Sequence, residues 1–89
     1  MSRYEFSLRQ EVLLEKGAAV LGDLFRYEWD NDLSAADDLS HPVVVMHDLV
    51  WTAKRNILQA KTEIELAKIE AQFDLANTFL NKIGAAANV

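Results

Sequence analysis

Between Ser40 and Gly84 only the two ends carry a helix breaker. Pro42 stands at the start, Gly84 closes the run, and no other glycine or proline lies between. The apolar residues of this run fall into two sets. Val43, Met46, Val50, Ala53, Ile57, Ala60, Ile64, Ala67 and Ala71 recur at alternating steps of three and four. Leu58, Leu66, Ile69, Phe73, Ala76, Leu80 and Ile83 form the second set. On one continuous helix, at ~100° per residue, the two stripes point roughly 170° apart. A helix lying on a single core needs one stripe, and a helix with two needs a partner on each side. The pattern predicts a single helix over residues 42–83, ~60 Å long at ~1.5 Å per residue.

The chain has 89 residues and no cysteine. A domain of this size buries only ~60–65% of its unfolded surface. Without cysteine, disulfides and thiolate zinc sites are excluded, so extra stability has to come from oligomerisation or from close helix packing. Hydrophobic residues make up 51% of the chain against three glycines and one proline, which is not the composition of a disordered segment. The N-terminal residues lack an apolar signal core, and the run Val43–Met46 is far shorter than the ~20 residues of a spanning helix. The expectation is a soluble cytoplasmic protein, or one packaged in a particle such as a virion.

The net charge is −5 and it is uneven: residues 1–48 carry −6 and residues 49–89 carry +1. An acidic front half argues against nucleic acid, whose phosphates call for a basic stripe.

Ser2-Arg3-Tyr4-Glu5 fits a capping box, and the spacing of Phe6, Gln10, Leu13, Gly17, Val20, Leu24 and Tyr27, a stripe widened by Leu14, Leu21 and Phe25, predicts a helix over about residues 3–28. Gly17 and Gly22 each cost ~1 kcal/mol against alanine in a helix interior, and either could end the helix early. Gly17 falls on the apolar stripe, where it would let another backbone approach, so the unbroken helix is preferred. Residues 29–41 form an acidic connector rich in Asp, Asn and Ser, with Ser34-Ala35-Ala36-Asp37 able to cap one short turn. Residues 84–89 are a short tail.

The predicted fold is therefore all-α: a helical hairpin of one ~25-residue and one ~40-residue helix, completed to a bundle by oligomerisation. A first helix of ~37 Å cannot cover a partner of ~60 Å, which leaves Phe73, Leu75, Phe79, Leu80 and Ile83 bare. In the first stripe, Ala53, Ala60 and Ala67 alternate with β-branched residues and suit a close, coiled-coil-like approach of helices. Near Ala71 that stripe shifts register, a place for the long helix to bend. These eight residues are the candidate partner-binding set. The partner is a second copy, in a two-fold dimer, or another protein.

No residue pattern points to catalysis, a cofactor or a metal. Asp30, Asp32 and Ser34 resemble the first ligands of a calcium loop, but Ala35 and His41 stand where glycine and glutamate are required. His41 and His47 are six apart and do not share a helix face; His41 suits a helix start. There is no nucleophile elbow and no phosphate loop. Trp29 and Trp51 are expected to close the hairpin near the connector; the alternative is an exposed anchor for a partner.

The function read from these features is non-enzymatic: an adaptor, chaperone, inhibitor or structural component acting through apolar helix faces. The alternative is an acidic decoy that occupies a basic surface through Glu28, Asp30, Asp32, Asp37 and Asp38.

Overall fold

A computed structural model describes residues 2–33 and 41–83. Asp37, Asp38, the Ser34–Asp37 turn and the tail from Gly84 lie outside the described residues. Three helices follow one another: α1 (Arg3–Asp30), α2 (Pro42–Asn56) and α3 (Glu63–Lys82). No helix is long and apolar enough to cross a membrane among the described residues.

The α1 helix runs unbroken through both glycines. Its N-terminus is capped by Ser2, whose Oγ accepts the Glu5 amide at 3.1 Å. It ends in a Schellman turn: Asp32 adopts φ 54°, its amide donates to the Trp29 carbonyl, and the Leu33 amide donates to the Glu28 carbonyl at 2.8 Å. The α2 helix begins as expected at His41, whose Nδ1 accepts the Val43 amide at 3.1 Å ahead of Pro42.

The long second helix does not form; it is two helices. Residues 57–62 turn the chain, although Leu58, Gln59, Ala60 and Lys61 carry no breaker. Thr62 caps the new helix by accepting the Glu65 amide at 3.2 Å, and Glu65 reaches back to the Lys61 amide at 2.6 Å. The carbonyl of Ile57, freed at the end of α2, accepts a hydrogen bond from Gln10 Nε2 of α1 at 3.0 Å.

The turn resolves the two opposed stripes. Val43, Val50, Ala53 and Ile57 form the buried face of α2, its end and the turn, and Leu66, Ile69, Phe73, Ala76 and Leu80 form the buried face of α3. Both faces meet one core, completed by Leu13, Val20 and Leu24 of α1. Interrupting the helix gives up a few hydrogen bonds at ~1 kcal/mol net each. Burying side chains such as Leu66, Phe73 and Leu80 returns ~1.5–3 kcal/mol apiece, so folding back wins.

Contacts along the helices show an up–down–up bundle 44 × 27 × 15 Å in extent. Glu28 near the end of α1 binds His47 near the start of α2, Oε1 to Nδ1 at 2.5 Å. Arg9 and Lys16 of α1 bind Glu70 of α3 at 3.3 and 3.4 Å, and Lys16 binds Asp74 at 2.6 Å. The hydrogen bond from Lys16 to Asp74 raises the lysine pKa above 10.5, against desolvation and with help from both carboxylates.

Candidate protein-docking face

The turn at 57–62 redistributes the residues that spacing had marked for a partner. Ala53, Phe73 and Leu80 lie in the chain's own core, and Ala60 and Phe79 pack half-buried against it. The expected overhang of α3 is therefore absent, because α3 runs alongside α1 rather than past it. Ala67, Leu75 and Ile83 remain exposed. Ala67 and Leu75 join Ile64 and Ala71 in a short apolar strip on the outer side of α3.

The acidic candidates are likewise divided. Glu28 is turned inward onto His47 and is 6% exposed, so it is not available to a basic surface. Asp30 and Asp32 are exposed at the end of α1.

A larger apolar surface lies on α1, where spacing had put Phe25 on the core stripe and had marked only Trp29, as the alternative, for an exposed anchor. The core stripe of α1 is centred on Leu13, Gly17, Val20 and Leu24. At ~100° per residue, the opposite side of that helix carries Tyr4, Leu8, Val12, Ala18, Ala19, Gly22, Phe25 and Trp29. All eight are exposed, Tyr4 by 72% and Trp29 by 76%. A Cβ built on Gly22 would meet nothing within 4 Å, so the centre of this face is open. From Tyr4 to Trp29 the face is ~37 Å long at ~1.5 Å per residue. Trp29 does not close the end of the bundle as expected, and Trp51 is 49% exposed on α2.

The signal for this face was present in the sequence. Tyr4, Leu8 and Val12 repeat every four residues, as do Phe25 and Trp29, and all are offset from the core stripe. The exposed Glu11, Glu15 and Arg26 share this side of the helix and interrupt the strip, yet large apolar side chains gathered on one solvent face mark an interaction surface.

Other features offer less chemistry. A hollow of about 350 Å³ between the end of α2 and α3 is lined by Asn56, Gln59, Ala60, Glu65, Lys68, Ile69 and Gln72. Three of its seven lining residues are amides, and its Glu65 is engaged in capping α3. Among the described residues no group of three His, Cys, Asp or Glu could hold a metal ion.

Residues 2–83 match the bacterial epsilon antitoxin family, and with nearly the whole chain matched, the protein belongs to that family. No curated protein and no solved structure gives a significant match. Membership of an antitoxin family is compatible, in coarse terms, with the adaptor-or-inhibitor expectation of a small protein that acts by binding another protein.

Proposed function

We propose that this member of the bacterial epsilon antitoxin family neutralises its toxin by laying the solvent face of α1 against it. The observation that carries the reading is the exposed strip of Tyr4, Leu8, Val12, Phe25 and Trp29 on a helix whose other side is fixed in the core. Large aromatic side chains dominate interface hot spots, and here three of them sit on one rigid element. Packing on α2 and α3 holds α1 in its bound shape, so little ordering entropy is lost on association. The inhibitor is non-enzymatic and acts by covering a surface of the toxin, in the cytoplasm where it meets its target.

A photoreactive residue placed at Phe25 tests this against one at Trp51 or at Leu75. The reading predicts a covalent adduct with the cognate toxin from position 25 and none from positions 51 and 75. Adducts from 51 or 75 alone would move the docking face to another helix.

A second reading concerns self-association. The strip of Ile64, Ala67, Ala71 and Leu75 on α3 supports contact with a further copy of the chain, since small residues permit close helix approach. Solution mass over a dilution series of wild type and of Leu75→Glu tests it: a dimer lost in the variant supports the contact, and a strict monomer rules it out.

A further inference from the structure

The turn between α2 and α3 is built from residues that favour the helix it interrupts. Leu58, Gln59, Ala60 and Lys61 are all good helix formers, and no glycine or proline lies between Pro42 and Gly84. The departure from helix is small. Ile57 keeps helical angles, φ −58° and ψ −47°, and the amides of Gln59 and Ala60 donate three residues back, to the carbonyls of Asn56 and Ile57, at 3.2 and 3.3 Å. Thr62, at φ −131° and ψ 157°, is extended. Three side chains hold the turn: Thr62 and Glu65 in the cap, and Gln10, which donates to the Ile57 carbonyl at 3.0 Å. The turn also leaves the large apolar side chains on either side of it, Leu58 and Ile64, each 69% exposed.

Straightening residues 57–62 exchanges these bonds for main-chain hydrogen bonds four residues back, and it makes one helix of α2 and α3. On that helix the core faces of α2 and α3 point to nearly opposite sides. One chain cannot cover both, because its α1 stays packed on α2. A second copy can. Its α1 and α2 offer the incoming α3 the same core that α3 joins within one chain. Leu66, Phe73 and Leu80 enter that core, and Glu70 and Asp74 meet Arg9 and Lys16 of the second copy. We infer that two copies of this chain exchange α3, with residues 57–62 as the hinge, and form a dimer in which each α2–α3 segment is one continuous helix.

Exchange of an identical element costs little where the hinge is short and its residues accept both states. The core is the same in monomer and dimer, so the hinge and the protein concentration set the balance. The two hinges lie together in such a dimer, which gives Leu58 and Ile64 neighbours. The arrangement differs from a contact through Ile64, Ala67, Ala71 and Leu75, in which each chain keeps its own α3. It leaves the outward face of α1 untouched and stands independently of the docking face proposed above.

The test mixes equal amounts of isotopically heavy and unlabelled chain in denaturant, refolds them together at high concentration, and separates monomer from dimer by size. A carbodiimide then couples Lys16 to Asp74, whose Nζ and Oδ1 stand 2.6 Å apart, and mass spectrometry reads the joined peptides. Exchange predicts that roughly half of the Lys16–Asp74 peptides from the dimer join a heavy to a light chain, as random pairing gives, and that the monomer yields none. It also predicts that Gln59→Ala/Thr62→Ala raises the dimerisation constant at least roughly tenfold, and that Gln59→Gly/Lys61→Gly lowers it by as much. Circular dichroism checks that each variant keeps its helices. A dimer whose Lys16–Asp74 peptides are all of one isotope would mean side-by-side association and overturn the exchange. A monomer at every concentration, in wild type and in the alanine variant alike, would overturn it as well.

Discussion

Phe73 of α3 stacks its ring so close to the backbone of Gly17 in α1 that a Cβ on Gly17 would stand 2.8 Å from Cζ. The core is set around this contact: Phe73 is fully buried, and Gly17 is the place where α1 makes room for it. What approaches Gly17 is a side chain and not the backbone that its position on the stripe suggested.

The two glycines of α1 should respond oppositely to alanine. Gly17→Ala gains ~1 kcal/mol of helix propensity but forces the Phe73 ring aside, and overpacking of this kind costs ~1–3 kcal/mol, so the variant should be less stable or at best unchanged. Gly22→Ala meets nothing within 4 Å and should gain ~0.5–1 kcal/mol. Urea denaturation of both variants reads the difference; equal stabilisation by both would contradict the Gly17–Phe73 contact.

The turn at 57–62 rests on the cap formed by Thr62 and Glu65. Thr62→Ala should cost ~1 kcal/mol, the usual loss for an N-cap. Thr62→Ser should cost much less, because its hydroxyl can still accept the Glu65 amide. A chain in which α2 and α3 were continuous would show the reverse, since alanine favours a helix interior; thermal denaturation of the two variants separates the cases.

That turn is also where reading the chain residue by residue fell short. Both apolar stripes were legible in part: Val43–Ile57 of the first and Leu66–Leu80 of the second supply core faces, whereas Ile64, Ala67 and Ala71 of the first and Leu58 and Ile83 of the second are exposed. The start of α1 at Ser2 and of α2 at His41 followed from local capping chemistry. The error lay in joining the stripes, because Leu58, Gln59, Ala60 and Lys61 are all compatible with helix. The gain from bringing Phe73 and Leu80 back onto the core is a tertiary effect, and local propensity does not contain it. One local signal was there: Thr62-Glu63-Ile64-Glu65 has the spacing of a capping box. The proposed docking face, apart from Trp29 as an alternative anchor, was missed for a related reason. Once Phe73 and Leu80 were assigned to a partner, the strip of Tyr4, Leu8 and Trp29 had no work left to do.

Asp32 carries the one positive φ of a non-glycine residue among the described residues, at the C-cap turn of α1. Aspartate tolerates the left-handed region at a cost that glycine avoids. Asp32→Gly should therefore stabilise the fold by ~0.5–1 kcal/mol, whereas Asp32→Val should destabilise it. A chemical denaturation midpoint that falls in the glycine variant would contradict the Schellman geometry.

Lys16 ties α1 to α3 through Asp74 and Glu70, and its pKa is raised in the fold, chiefly by the hydrogen bond to Asp74. A group whose folded pKa is raised contributes fully while the pH stays below its unfolded value, near 10.5, and loses that contribution as the pH rises through the folded value. The side chain is partly exposed, so the contribution is below ~1 kcal/mol. Lys16→Met should be slightly less stable than wild type at neutral pH, and the gap should close in strong alkali. A gap that widens with pH would have the wrong sign.

Toxin binding through the outward face of α1 is probed most directly by titration of the cognate toxin. Tyr4→Ala/Trp29→Ala removes its two ends without touching the core, while Val45→Ala/Trp51→Ala makes a comparable apolar loss on α2. The prediction is at least tenfold weaker binding for the first pair, in keeping with hot-spot aromatics, and wild-type affinity for the second. Full affinity in the first pair with loss in the second would contradict it.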